Sequence, residues 1–207
     1  MSIVSTQAAG ASQRLASSTI NLSQYKPEHN WQYLLERSIA NRTASASCLC
    51  LHQRSALRLL LLQSLVHSGQ NLLVAGSLPA HWESYVKEHL YPRGISVKHS
   101  YTNEPDSWEQ RLNEDTRLLY WFAHGKQQQS DSALQTLYRL SRHYRLPLLI
   151  DSSAHPGTQP TQVAHNACLQ LGSLPGSSVA WLTESGNFSW NSGNFPQIMQ
   201  GDSERQD

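Results

Sequence analysis

Two hydrophobic periods alternate along this 207-residue chain, and the alternation divides it into elements. Residues 47–51 (SCLCL) are a compact apolar run suited to a strand. Ser55 to Ser68 (SALRLLLLQSLVHS) carries leucines round most of a helical circumference, with Ser55 placed to cap it and Gly69 to end it. A largely buried helix is predicted there. NLLVA at 71–75 reads as a strand. Ala80 to Leu90 is amphipathic at the helical period and is closed by Pro92 and Gly94, after which Ile95 to Tyr101 alternates at period two. Asp106, three residues before Glu109, imitates a capping box and predicts a short helix carrying Trp108 and Leu112. RLLYWFA at 117–123 is the most strand-like run, with Trp121 expected in the core. Ser130 to Tyr144 gathers Leu134, Leu137, Tyr138 and Ser141 on one helical face, and LPLLID at 146–151 is again a strand.

Strands alternating with helices of roughly 10–15 residues require crossover connections. The pattern therefore predicts an α/β protein, a mainly parallel sheet with helices on both faces. Residues 1–45 are mostly Ser, Thr, Gln, Ala and Asn and are expected to form a flexible arm, with a short helix where Trp31, Leu34, Leu35 and Ile39 fall near helical spacing. The α/β domain is expected over 46–153. Over 154–207 Ser, Gly, Pro and Gln dominate, and the short apolar runs at 168–171 and 179–182 predict a terminal hairpin followed by a disordered tail.

Charge narrows the range of partners. Charged residues make up 15% of the chain and the net charge is +1, so there is no electrostatic footprint for direct nucleic-acid binding. Three cysteines cannot build a disulfide framework, and the N-terminus lacks the pattern of a secretory signal. The longest apolar stretch, Leu57 to Val66, is broken by Arg58, Gln63 and Ser64 and is shorter than the ~20 residues a bilayer requires. A cytoplasmic protein without a membrane span is expected.

The usual chemical signatures of an α/β sheet are missing. Gly125-Lys126 is the nearest approach to a phosphate loop, but position 120 is Tyr and position 127 is Gln. No GxGxxG, HExxH or GxSxG is present. Cys48, Cys50 and His52 share one face of a strand with no fourth ligand evident, and read more simply as small residues of a central strand. No cofactor and no metal are expected.

Two family resemblances compete. The run from Tyr25 to Asp151 can be laid over the large domain of the pyridoxal-phosphate enzymes of cysteine and methionine metabolism, with Asp151 at the strand end where those enzymes keep the partner of the pyridine nitrogen. That resemblance implies a Schiff-base lysine downstream of Asp151, whereas the lysines here are Lys26, Lys87, Lys98 and Lys126. The segment from Ser47 to about Ser153 also resembles the SulA family of SOS cell-division inhibitors, on the strand SCLCL, the leucine run LRLLLLQSL, the helix with Trp82, the strand RLLYWFA and the strand LPLLID. This second resemblance implies a RecA-like core without Walker motifs and a non-enzymatic protein made after DNA damage. Such a protein binds FtsZ, blocks its polymerisation and septation, is recognised by the Lon protease and forms a homodimer.

On that reading the FtsZ contact is expected from Trp82, Arg93 and Lys98, with Tyr85 in place of Trp82 if the register shifts. Trp82 either anchors the partner or packs its helix onto the sheet. The alternatives are a degenerate pyridoxal-phosphate-fold protein and a RecA-like accessory factor of DNA repair.

Overall fold

The structure, a computed structural model, describes residues 31–75, 78–100, 105–123, 131–154, 167–191 and 193–195. In chain order it contains α1 (Trp31–Thr43), β1 (Ser47–Leu51), α2 (Arg54–Leu65), β2 (Asn71–Ala75), α3 (Trp82–Tyr85), β3 (Ser96–Ser100), α4 (Pro105–Glu109), β4 (Thr116–Phe122), α5 (Asp131–Tyr144), β5 (Leu148–Asp151), β6 (Leu169–Ser173) and β7 (Ala180–Glu184). The strands form one sheet in the order β1-β7-β6-β5-β4-β2-β3. Strands β2 to β6 run parallel, while β7 lies antiparallel to both β6 and β1. The two apolar runs expected as a terminal hairpin are β6 and β7, and they join β5 to the first strand.

Side-chain alternation sends each strand's residues to two cores. On one face Leu72 and Val74 of β2, Tyr120 and Phe122 of β4 and Leu149 of β5 pack against Leu57, Leu61, Leu62 and Leu65 of α2 and against Trp82, Val86 and Leu90. On the other, Leu73, Leu119, Trp121 and Ile150 pack against Leu134, Leu137 and Leu140 of α5 and Trp108 of α4. Trp121 meets Trp108 edge-on at 6.1 Å and belongs to the core as expected. All five residues of β2 are buried, which is why Leu72 to Ala75 are continuously apolar rather than alternating, while the side chain of Asn71 is held by Asn113 and Thr116.

Several boundaries differ from the pattern, each for a local reason. Helix α2 starts at Arg54, not at a Ser55 cap: Gln53 is the extended cap residue, and its carbonyl accepts the Leu57 N–H at 3.0 Å. It ends at Leu65, where Val66 turns extended, and Gly69 takes φ +84° to enter β2. The helix expected over 80–90 is α-helical only from Trp82 to Tyr85, widens over Val86–Leu90 and tightens over Tyr91–Arg93. Pro92 has no N–H to continue an α-helical ladder, and Gly94 closes the segment at φ +70°. Helix α1 exposes Trp31 and Leu34 and buries Glu36, whose Oε1 accepts the Cys50 N–H at 2.9 Å.

Candidate functional site

Because β2 to β6 are parallel, their carboxyl ends share one edge of the sheet, and the register sets Phe122 beside Asp151 and Asp151 beside Leu171. The direction of chain progression reverses between β2 and β4, the place where open α/β sheets form a ligand crevice. Asp151, the last residue of the adjacent β5, is 2% exposed. A buried carboxylate is tolerated only when paired and fully hydrogen-bonded.

Asp151 meets that condition. Its Oδ2 accepts Arg58 Nη2–H at 2.6 Å, Arg58 Nε–H at 3.1 Å and the Tyr120 hydroxyl. Its Oδ1 accepts the Ser153 N–H at 2.9 Å and the Ser153 hydroxyl. Arg58 enters from α2, where it interrupts the leucine face, and its Nη2 also reaches Ser153 Oγ at 3.2 Å. The guanidinium carbon lies 5.5 Å from the Tyr85 ring centre and 5.9 Å from those of Trp82 and Phe122, within cation–π range of all three. Trp82 in turn stacks on Tyr85 at 5.3 Å and meets Phe122 edge-on at 4.9 Å.

The electrostatics follow from this packing. Burial works against the charge on Arg58, but the oxygens of Tyr120 and Asp151 facing it hold the guanidinium protonated. Burial drives the Tyr120 hydroxyl well above its ordinary range, so it stays a proton donor to Asp151. Burial pushes Tyr85 up to about 12, against the opposing pull of Arg58 and Arg93. At the rim His81 is lowered, first by burial and then by the positive charges of Arg58 and Arg54.

Of the four residues expected to contact a partner, two fall in this cluster. Trp82 is 1% exposed and Tyr85 7%, so both rings are committed to the core around Arg58 and neither is an exposed anchor. Arg93 is exposed and donates to the His89 carbonyl, and Lys98 on β3 donates Nζ to the Arg111 carbonyl. The structure does not gather these four into one surface. Arg58, Tyr120 and Ser153 were not among the sequence candidates. The signal available for Arg58 was its charge inside a leucine run, a position such residues occupy only when paired.

The sheet can be compared with solved structures. The fold matches an O-acetylhomoserine sulfhydrylase of Wolinella succinogenes at TM-score 0.67 and 20% identity, covering 88% of this chain and 56% of that one. The chain shares the α/β fold of that part of the neighbour. A second neighbour, a putative O-acetylhomoserine (thiol)-lyase of Campylobacter jejuni carrying a pyridoxyl-lysine phosphate, matches at TM-score 0.62 and 15% identity over 74% of this chain and 40% of that one. Among curated proteins, the homocysteine/cysteine synthase of Saccharomyces cerevisiae is 23% identical over 177 residues, 81% of this chain. The O-acetyl-L-homoserine sulfhydrylase of Leptospira meyeri is 21% identical over 82% of it. The chain spans 40% of the length of each of these two proteins. No protein-family model matches.

These matches correct the reading as a cell-division inhibitor. The resemblance to SulA rested on a leucine-rich helix and a strand–helix rhythm, which any doubly wound sheet with a buried helix produces, while the matched proteins are synthases and sulfhydrylases. The SOS response, septation and the RecA-like label fall with it. The expectation of a non-enzyme is overturned as well, since the relatives are named as a homocysteine/cysteine synthase and an O-acetyl-L-homoserine sulfhydrylase. Among the described residues no helix is long and apolar enough to cross a membrane.

Proposed function

We propose that the chain serves sulfur amino acid metabolism as a sulfhydrylase-type domain that takes an amino acid of the O-acylhomoserine or homocysteine class at the carboxyl edge of its sheet. The observation that carries this reading is the sheet shared with an O-acetylhomoserine sulfhydrylase over 88% of the chain. Charge supports it: half-buried Arg54, at the start of α2, brings a guanidinium not neutralised by Asp151 to this edge, which suits the carboxylate of an amino acid. The chain's own residues bind and orient at this edge. Arg58 fixes Asp151, Asp151 holds the Ser153 backbone and hydroxyl, and the Ser153 carbonyl fixes Arg54.

Pyridoxal phosphate is implied by this reading, and the residues do not fit it. In its enzymes a lysine forms the Schiff base and an acidic residue pairs with the pyridine nitrogen. Here the acceptor sites of Asp151 are already filled by Arg58, Tyr120 and Ser153. Lys87 is exposed and Lys98 is engaged on β3, while Lys26 and Lys126 lie outside the described residues. No step is derived through that group.

Calorimetric titration of the protein with O-acetylhomoserine, homocysteine and cysteine tests the reading. Saturable binding of at least one, displaced by another of the three, is the expected result. No heat with any of them would remove the assignment.

A further inference from the structure

We infer that Arg58 is a built-in replacement for a cofactor's positive ring at Asp151, so that this chain supplies from its own helix the cation that an aspartate at this position would otherwise take from a bound pyridinium. The inference rests on the sulfhydrylase reading for the meaning of the position. Its geometry stands on the structure alone.

A pyridinium and a guanidinium are alike in what a carboxylate senses. Both are flat, delocalised cations that present N–H in the plane and a π-face above and below it. The surroundings of Arg58 suit such a group on each side. In the plane, Nε and Nη2 both point at Asp151 Oδ2, at 3.1 and 2.6 Å. Three aromatic rings also lie within 6 Å of the guanidinium carbon. The side chains of Arg58 and Asp151 are 4% and 1% exposed, so the pair is shut off from water. With Tyr120 on one oxygen and Ser153 on the other, no lone pair of Asp151 is left for a ligand.

A second observation points the same way. The Trp82 indole N–H and the Tyr85 hydroxyl are buried beside Arg58 without a hydrogen-bond partner among the described residues. Polar atoms are seldom left so. Two orphaned polar groups at the wall of a filled site fit a pocket in which a side chain has taken a ligand's place without reproducing all of its contacts.

The test uses the full chain and pyridoxamine 5′-phosphate, which carries the pyridine ring but cannot form a Schiff base with surface lysines. The wild-type protein is expected to show no saturable change in melting temperature or ligand fluorescence up to millimolar probe. Arg58→Ala is expected to melt lower and to recover part of the loss, saturably, with either methylguanidinium or pyridoxamine 5′-phosphate. That recovery should vanish in Arg58→Ala/Asp151→Asn, which removes the anion as well. Recovery unchanged in the double variant would place the probe elsewhere and overturn the inference. Saturable binding to the wild type, lost in Asp151→Asn, would overturn it too, because Arg58 would then yield to the ring. If Arg58→Ala does not fold, the wild-type titration decides alone: binding refutes the inference and its absence upholds it. None of these outcomes depends on whether the chain binds homocysteine or its esters, so failure here and failure of the functional reading remain distinguishable.

Discussion

Trp82 is enclosed by Tyr85, Tyr120, Phe122 and the Arg58 guanidinium, so truncating it removes a large buried side chain rather than a surface contact. Trp82→Ala is expected to cost about 3–5 kcal/mol in urea denaturation, with Trp82→Phe costing less. A loss below about 1 kcal/mol would show that the ring is not part of the core. Asp151→Asn should likewise cost about 3–5 kcal/mol, because it leaves the Arg58 charge buried without a counter-ion. Pairing it with Arg58→Met should recover much of that loss, and a double-mutant cycle on the same denaturation curves measures how much. The sequence made Asp151 conspicuous as a charge ending an apolar strand. It could not show that the partner comes from a helix 93 positions away in the chain, because the pairing is made by the packing of α2 on the sheet and not by any local spacing.

Among the elements, the strands are the most legible in the sequence. NLLVA at 71–75 was placed to the residue, since an apolar run closed by polar residues admits few alternatives. Helices are less legible: α2 begins after Gln53, a residue without a capping signature, and the burial of Glu36 in α1 depends on the Cys50 N–H of the neighbouring strand. The β6–β7 hairpin has a further condition that the sequence hides. A Cβ placed on Gly172 would lie 2.0 Å from the Trp181 ring on the facing strand. Gly172→Ala is expected to destabilise by about 1–3 kcal/mol, as overpacking does, and thermal melting checks it. Trp181→Leu in the same background should relieve part of the loss.

For the whole molecule, one carboxyl sets an expected pH dependence. Glu184, at the end of β7, is raised by burial, against hydrogen bonds from Gly186 and Trp190. The folded chain then holds this proton more tightly than the unfolded chain does. The contribution to stability is therefore full below the unfolded value near 4.5 and is lost as pH rises through the raised folded value. Glu184→Gln should flatten that fall when melting temperature is followed from pH 4 to 8. A variant whose curve parallels the wild type would assign the pH dependence to other groups.

The adjacency of the first and last strands has a consequence during synthesis. Ser47 of β1 pairs with Glu184 of β7, so the opening strand has no neighbour in the sheet until nearly all of the described chain has left the ribosome. At translation rates of about 5–20 residues per second, that interval is on the order of ten seconds. For that time β1 lacks its strand partner, and a nascent chain in this state is a natural client for chaperones that shield apolar segments.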